Sequence, residues 1–302
     1  MASLPPFRTL NSARYERKDG VVMKLLRFGP AGHEKPGLLE KNGQIRDLSG
    51  VVTDIGPDQI APAALDKLRK LDPAKLPVVS GNPRLGPPVA NVPKIIAVGL
   101  NYIDHANEAT MKIPTEPVLF MKTVTSYAGP NDDVVLPKNS TKGDWEVELG
   151  IFIGTKAQYV SKQDALKHVA GYTIVNDVSE RNFQLERGPQ WMKGKGCDTF
   201  CPTGPWLVTP DEVADPQNLE VMCEVSNQVM QKASTKSMIF DCATIISYTS
   251  EFMTLMPGDL IATGTPSGVG LGRNRFLKPG DSMRLTVTGM GEQRQRVVAY
   301  RP

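Results

Sequence analysis

Cysteine and histidine are scarce in this sequence. Its 302 residues include three histidines and four cysteines, Cys197, Cys201, Cys223 and Cys242. The cysteines lack the regular spacing of a disulfide framework and contain no Cys-x₂-Cys pair. A chain of this length can bury a core without disulfides. We therefore expect a reducing compartment, the cytoplasm, and a zinc site is disfavoured.

Long apolar runs and an excess of one charge are also missing. No stretch approaches membrane-spanning length, and the first residues lack the apolar core of a secretory signal. Charged residues make up 22% of the chain, and the net charge is +3. This balance gives no electrostatic reason to expect a nucleic-acid partner, but a small anionic substrate is compatible with it. Residues 1–22 are interpreted as a disordered extension.

The most informative segment is residues 144–153, an apolar, strand-like run that contains two closely spaced glutamates. Because successive side chains of a strand alternate between faces, Glu146 and Glu148 are expected to share one face. The other face would hold Trp145, Val147, Leu149, Ile151 and Ile153. Two carboxylates on a buried face repel each other and lose hydration, so protons, bases or a cation must balance them. By itself, an E-x-E pattern is more typical of an edge strand with a solvated face.

A third acidic residue changes that balance in favour of a metal site. Residues 172–181 run as an apolar strand into a polar end, where Asp177 offers another carboxylate. Three carboxylates with water completing the coordination suit a hard divalent cation. The sequence therefore predicts Mg²⁺ or Mn²⁺, with Ca²⁺ as a further option, at Glu146, Glu148 and Asp177.

A candidate general base follows the strand-like residues 94–100. His105 and Glu108 stand three residues apart, so one helical turn would place them on one face. The carboxylate could then orient the imidazole and raise its basicity, as expected of a base that activates water. A His-x-x-Glu pair alone is more often a surface or core contact, and its position after a strand is what favours catalysis.

The remaining patterns indicate an α+β chain that is mainly β. Residues 23–92 are predicted to form a small β-rich N-terminal domain and a linker, the Pro- and Gly-rich stretch 77–93. Residues 93–302 are predicted to form the metal-binding catalytic domain. Helices are expected at residues 61–71, 162–170 and 239–255.

Several motifs in this order resemble the fumarylacetoacetate hydrolase family. They are His105 with Glu108, the E-x-E strand, and residues 176–181, 195–200 and 263–270. The resemblance extends over residues 93–300, and residues 190–200 look most like the branch labelled ureidoglycolate lyase or 2,4-diketo-3-deoxy-L-fuconate hydrolase. It implies a β-roll-like catalytic domain and a homodimer.

The resemblance also implies roles for nine side chains. They are Glu146, Glu148 and Asp177 for the metal, His105, Glu108 and Lys195 for catalysis, and Arg181, Gln184 and Thr265 for substrate contact. Lys195 could instead be a solvated loop residue like Lys193, because charge alone does not separate the two. Cys197 departs from the branch, which more often has an aromatic residue there, and it could reshape the pocket wall.

The implied activity is metal-dependent hydrolysis of a C–C bond in a 2,4-dioxo acid of the acylpyruvate type, giving pyruvate and a second acid. A 2-oxo acid can chelate a divalent cation, and cleavage beside a 1,3-diketone leaves an enolate that a Lewis acid stabilises. The same scaffold permits a ureidoglycolate lyase, an oxaloacetate decarboxylase or a hydroxydienedioate isomerase. A metal-stabilised binding or assembly protein without turnover is an alternative from another class, but it would need neither His105, Glu108 nor Lys195.

Overall fold

The computed structural model describes residues 23–108 and 110–302. The extension predicted at residues 1–22 lies outside the described residues. In the part that is described, none of the helices combines the length and the apolar character needed to cross a membrane.

Strands outnumber helices throughout the described chain. The strands are β1 Lys24–Phe28, β2 Lys35–Leu39, β3 Ile45–Asp47, β4 Leu85–Gly86, β5 Ile95–Gly99, β6 Val118–Lys122, β7 Tyr127–Ala128, β8 Val134–Leu136, β9 Gly143–Asp144, β10 Val147–Ile153, β11 Val169–Asn176, β12 Ser179–Glu180, β13 Cys201–Val208, β14 Glu220–Val225, β15 Gln228–Ser234, β16 Leu260–Ala262, β17 Ser282–Val287 and β18 Gly291–Ala299. The helices are α1 Pro62–Leu68, α2 Ile103–Glu108, α3 Met192–Lys195, α4 Cys242–Phe252 and α5 Gly270–Arg273. The α+β, mainly β class predicted from the sequence is confirmed.

Two sheets form the body of the molecule. The larger has the strand order β3-β2-β1-β13-β11-β10-β16-β5-β6, with β4 beside β1 and β7 beside β13. The smaller has the order β15-β14-β17-β18-β8, and β9 and β12 make a separate short pair. Most neighbours are antiparallel, but β5 runs parallel to β16, so the segment that follows β5 leaves the sheet at the same edge as the loop after β16.

The N-terminal strands continue the larger sheet, because Leu25 of β1 pairs with Leu207 of β13. The second half of the predicted linker, residues 85–93, packs against the body of the molecule. This stretch contains β4, which pairs with β1, and the fully buried Val89. Apolar side chains spaced among its prolines and glycines pack it onto the core. The boundary between residues 92 and 93 stays a prediction.

The alternation along β10 and the two residues before it separates the apolar and acidic side chains as expected. Trp145, Val147, Leu149, Ile151 and Ile153 all belong to one buried apolar cluster, which packs between the two sheets. Glu146 and Glu148 are buried as well, with 4% and 2% of their surfaces exposed. The alternative of an edge strand with a solvated polar face is therefore wrong, since β10 lies between β11 and β16.

Two of the three predicted helices are present with shorter bounds. The helix expected at residues 61–71 is α1, Pro62–Leu68, and it begins with a proline, which needs no hydrogen-bond partner in the first turn. The helix expected at residues 239–255 is α4, Cys242–Phe252. Asp241 caps α4 by accepting a hydrogen bond of 2.7 Å from the backbone of Thr244.

The helix predicted at residues 162–170 is wrong. A short 3₁₀-helix, Ala165–His168, forms there, and β11 begins at the next residue. The charged residues of this segment imitate a helical pattern, but Val169 pairs with Ile153 of β10. Pairing of apolar residues in the buried sheet therefore outweighs the local helical preference.

Candidate metal and active site

Three carboxylates meet where β10 and β11 lie side by side. The antiparallel register joins Val147 to Asn176, so the residue after β11, Asp177, lies beside Glu146 and donates a backbone hydrogen bond of 2.9 Å to it. Oxygen atoms from the side chains of Glu146, Glu148 and Asp177 lie within 4.8 Å of one another. The structure thus brings the three predicted ligands together, and all three are buried.

Buried cations neutralise part of this acidic charge. Lys195 Nζ donates to Glu146 at 2.6 Å and to Asp177 at 2.7 Å. Arg181 Nη2 donates to Glu146 at 2.5 Å, and Lys122 Nζ donates to Asp177 at 2.5 Å. Burial alone would raise the pKa of Glu146, but Lys195 and Arg181 outweigh it and lower that pKa to about 2. Glu146 is therefore ionised at neutral pH.

Glu148 differs from its two neighbours. Across residues 23–108 and 110–302, no lysine or arginine forms an ion pair with it, and its clearest partner is the backbone N–H of Gly264 at 2.8 Å. Burial, followed by the charges of Asp177 and Glu146, raises the pKa of Glu148 well above its usual value. A divalent cation would supply the positive charge that this carboxylate lacks. The donor set, made of carboxylate oxygens in a buried site, fits such a cation.

His105 and Glu108 share one turn of α2, as the spacing predicts. His105 Nδ1 lies 3.7 Å from Glu108 Oε2, which is outside hydrogen-bond range, and it has no hydrogen-bond partner among the described residues. Such contacts are often long before substrate binds. The backbone of Gly268 donates to both oxygens of Glu108, at 3.1 and 2.9 Å. Burial raises the pKa of Glu108, but His105 and Gly268 outweigh it, so the net pKa is lowered.

Lys195 ends α3, and its side chain is 2% exposed. The interpretation of Lys195 as a solvated loop lysine is therefore wrong, whereas Lys193 is exposed. Arg181 and Gln184 come from the adjoining segment, in which residues Asn182–Glu186 form a π-helix. Arg181 Nη1 donates to Gln184 Oε1 at 2.9 Å, so the two side chains are fixed relative to each other.

One pocket collects seven of the nine predicted site residues, namely His105, Glu146, Glu148, Arg181, Gln184, Lys195 and Thr265. The other two, Glu108 and Asp177, contact His105 and Lys195. A larger cleft of the molecule lies elsewhere and contains none of the nine. Cys197 lines that cleft, so the expectation that it shapes the wall of the catalytic pocket is wrong.

The loop at residues 263–270 joins the two halves of the site. The backbone N–H of Gly264 donates a hydrogen bond to Glu148, and that of Gly268 donates to Glu108. Thr265 Oγ1 donates to the backbone carbonyl of Val147 at 2.9 Å. Gly268 has a φ of 101°, and a Cβ atom there would lie 2.0 Å from the carbonyl oxygen of Met230. Only glycine fits this position, and its small size lets the loop contact both the His105–Glu108 pair, called the dyad below, and the carboxylates.

Sequence reasoning missed Asp144 and Lys122. Asp144 is fully buried, accepts from Arg181 Nε at 2.7 Å, and accepts from the backbone of Gly270 at 2.5 Å. Its position two residues before Glu146 continues the acidic alternation of that strand, which is a signal that could have found it. Lys122 ends β6, far in sequence from Asp177, and the chain offers no local pattern that links the two.

The chain matches the family described as fumarylacetoacetate (FAA) hydrolase C-terminal over residues 94–298. It is 56% identical over 282 residues to 2,4-didehydro-3-deoxy-L-rhamnonate hydrolase of Sphingomonas sp. (strain SKA58), a match that covers 92% of this chain and 97% of the relative.

Two solved structures are also similar. Maleylpyruvate hydrolase from Sphingobium sp. SYK-6, in complex with manganese(II) ion and pyruvate, is 30% identical with a TM-score of 0.79, covering 92% of this chain and all of that one. The 2-hydroxyhepta-2,4-diene-1,7-dioate isomerase from Mycobacterium marinum is 34% identical with a TM-score of 0.72, covering 93% of this chain and all of that one. These matches confirm the fold implied by the sequence motifs. The family match spans more than half of the length of this chain. The chain therefore belongs to the fumarylacetoacetate hydrolase family, and it is an enzyme of that family.

Proposed function

We propose that this enzyme hydrolyses the C3–C4 bond of a 2,4-dioxo acid, giving pyruvate and a second acid, with the help of a divalent cation. The observation that carries the proposal is the pocket in which the carboxylates, His105 and Lys195 come together. Two comparisons also support the proposal. The relative that is 56% identical is named as a hydrolase, and the related maleylpyruvate hydrolase structure contains pyruvate.

Glu146, Glu148 and Asp177 would hold the cation, which we propose to be Mg²⁺ or Mn²⁺. Bound there, it would act as a Lewis acid on the oxygens of the 2-oxo acid group. The unbalanced charge at Glu148 supports this assignment, and so does the manganese(II) ion bound to the related maleylpyruvate hydrolase.

His105 acts as the general base in this proposal. Its imidazole takes a proton from water, and the resulting hydroxide attacks the C4 carbonyl. The lowered pKa of Glu108 keeps that carboxylate ionised at neutral pH, so it can stabilise the protonated imidazole. The hydrogen bonds from Gly268 hold Glu108 in place while the charge on His105 changes.

Lys195 acts on the fragment that becomes pyruvate. When the tetrahedral intermediate collapses, the C3–C4 bond breaks and C4 becomes the carboxyl group of the second acid. The electron pair of the broken bond passes to C3 and forms the pyruvate enolate. The buried ammonium group of Lys195 stabilises this charge, and C3 gains a proton to complete pyruvate. Overall, one water is consumed: its hydroxyl ends on C4, a proton ends on C3, and the new acid ionises.

A substrate panel tests the proposal. Purified enzyme with Mg²⁺ is incubated with acylpyruvates, oxaloacetate, ureidoglycolate and a hydroxydienedioate, and pyruvate, glyoxylate, CO₂ and the absorbance of the hydroxydienedioate are measured. We expect pyruvate and an equal amount of the second acid from an acylpyruvate. Glyoxylate from ureidoglycolate would favour the lyase, and CO₂ from oxaloacetate would favour the decarboxylase. An absorbance change without cleavage, on a hydroxydienedioate, would favour the isomerase.

Two finer assignments complete the proposal. We propose a homodimer, which the family resemblance supports, and a cytoplasmic location, which the four free cysteines support because reducing compartments keep thiols unpaired. Sedimentation velocity and fractionation of the native source cells would test them.

A further inference from the structure

The catalytic pocket has a charged side and an apolar side. Beyond the acidic and basic groups already described, its lining includes Leu100, Met111, Phe120, Leu185, Trp191 and Leu271. None of these side chains is needed to bind a metal or to move a proton. They are therefore available to contact the part of a substrate that lies away from the 2-oxo acid group.

Two of these apolar side chains are open to a ligand. Met111 is 42% exposed and Leu185 is 46% exposed, although both line the pocket. Exposed apolar groups beside a concave site are typical of a surface that a ligand covers.

The deeper apolar wall is built with close packing. Trp191 and Phe120 meet edge to face with their ring centres 5.5 Å apart. A Cβ atom on Gly99 would lie 2.6 Å from the Trp191 ring, so the absence of a side chain at Gly99 allows the indole to occupy the wall. The wall is therefore a fixed apolar surface, shaped by a glycine in β5.

The cations of the pocket are already engaged. Among the described lining residues, Arg181 and Lys195 are the lysine and arginine side chains present. Arg181 pairs with Asp144 and Glu146, and Lys195 pairs with Glu146 and Asp177. The Lys195 ammonium also lies 5.0 Å from the centre of the Phe120 ring, but Glu146 and Asp177 hold it at the charged side. The described lining residues therefore place no unpaired lysine or arginine at the apolar wall for a second carboxylate.

We propose that the pocket selects 2,4-dioxo acids whose acyl end is uncharged and apolar, and that it discriminates against dicarboxylic acids. This inference rests on the proposed function and adds the chemistry of the acyl group to it. A carboxylate that entered the apolar wall would lose its hydration without gaining a hydrogen-bond or ion-pair partner. An apolar group of equal length would instead gain contact with the wall.

Matched pairs of compounds test the selection. Turnover is compared between 2,4-dioxoheptanoate and 2,4-dioxoheptanedioate, which differ in the terminal carboxylate. Binding to the Mg²⁺-loaded protein is measured by calorimetry with 2-oxohexanoate and 2-oxohexanedioate, which lack the C4 carbonyl and so cannot be hydrolysed at the C3–C4 bond. We expect the monoacid to be favoured at least about tenfold in kcat/KM and in affinity.

A single substitution should weaken the selection. Leu185→Lys places a cation at the apolar rim, so kcat/KM for the dioxo diacid should rise about tenfold and that for the monoacid should fall. Leu166→Lys is the matched control, because Leu166 is 38% exposed and lies outside the pocket. It should leave both values unchanged.

The outcomes separate this inference from the proposed function. If neither dioxo acid is cleaved but 2-oxohexanoate binds at least tenfold more tightly than 2-oxohexanedioate, hydrolysis is the wrong activity and the selection holds. Equal or tighter binding of 2-oxohexanedioate overturns the selection, whatever the turnover. Failure of both 2-oxo acids to bind overturns the selection and the proposed function together.

Discussion

Two clusters of charged side chains in this enzyme contain the same number of acids and bases but differ in burial and in whether every carboxylate has an ion-pair partner. The pocket cluster consists of Glu146, Glu148, Asp177, Arg181 and Lys195. Its paired side chains are at most 5% exposed. Glu148 has no ion-pair partner among the described residues, so this cluster keeps a buried carboxylate whose charge is not balanced.

The junction cluster consists of Arg27, Glu34, Asp54, Arg84 and Asp132, and it connects the N-terminal strands to the segment before β8. Arg27 pairs with Asp54 at 2.7 Å and with Glu34 at 3.3 Å. Arg84 pairs with Glu34 at 2.9 Å and with Asp132 at 2.6 Å. Each of these carboxylates has a guanidinium partner, and side-chain exposure reaches 32% at Asp54.

The comparison shows what distinguishes a functional charge cluster from a structural one. Both clusters are rich in acids and bases, so the number of charges does not separate them. In the junction cluster every carboxylate is paired with a guanidinium and the cluster is partly hydrated, and such pairs can hold two segments together without an ion. The pocket cluster is dry and leaves Glu148 without an ion-pair partner among the described residues, which costs stability unless a ligand completes it.

Neutralising the unpaired carboxylate should have the largest combined effect, because it lowers Mg²⁺ affinity and kcat together. Glu148→Gln removes the negative charge of a proposed metal ligand. Mg²⁺ affinity should therefore fall by at least about 100-fold and kcat by about 10³-fold. Without metal, the variant should be as stable as the parent or more so, because a buried unpaired carboxylate is removed. Calorimetric Mg²⁺ titration, kcat and urea unfolding measure the three effects.

Glu34→Gln is the matched control in the junction cluster. Like Glu148, Glu34 is a buried glutamate, with a side chain that is 6% exposed. Unlike Glu148, it forms ion pairs, with both Arg27 and Arg84. The variant should lose stability and keep its Mg²⁺ affinity and kcat. If Glu148→Gln binds Mg²⁺ as tightly as the parent, the ligand assignment is wrong.

Loss of the dyad should have the next largest effect. His105→Ala and Glu108→Ala should each lower kcat by about 10² to 10⁴-fold, because the first removes the base and the second removes the group that stabilises its protonated form. The double variant should be little worse than the poorer single variant, since the two act as one unit. Kinetics at saturating Mg²⁺ measure this, and losses that multiply in full would mean that the residues act separately.

The two lysines of α3 should differ sharply. Lys195→Met removes a buried ammonium that meets the developing charge, so kcat should fall by about 10²-fold or more. Lys193→Met changes an exposed side chain two residues away and should stay within about twofold of the parent. Steady-state kinetics of both variants, with circular dichroism to check folding, make the comparison. Equal losses would show that a general basic segment, and not one catalytic lysine, matters here.

Sequence patterns predicted much of the pocket cluster because its acids follow local rules. The alternation of β10 placed Glu146 and Glu148 together, and the apolar run of β11 ending at Asp177 supplied the third carboxylate. The helical spacing of His105 and Glu108 is equally local. These signals depend on neighbours in the sequence, so they can be interpreted before any fold is known.

Contacts between distant segments could not be predicted in this way. Lys122 reaches Asp177 because β5 lies beside both β6 and β16, and that strand order is set by packing of the whole core. The sheet position of Val169 likewise depends on pairing with β10, and local charges pointed to a helix instead. Trp191 enters the pocket wall because Gly99, from another segment, leaves it room.

The smallest effect should come from breaking the junction cluster at Arg84. Arg84→Ala removes the pairs with Glu34 and Asp132, and because the Arg84 side chain is 29% exposed, water compensates part of the loss. The free energy of unfolding should fall by about 1 kcal/mol. Urea unfolding should show a lower midpoint with an unchanged slope, while kcat and Mg²⁺ affinity stay within about twofold of the parent. Arg296→Ala is the control, since Arg296 pairs with Asp133 from a side chain that is 79% exposed and should barely change the midpoint. A loss of kcat beyond about tenfold in Arg84→Ala, without unfolding, would contradict the separation of the two clusters and would show that the junction cluster helps to shape the pocket.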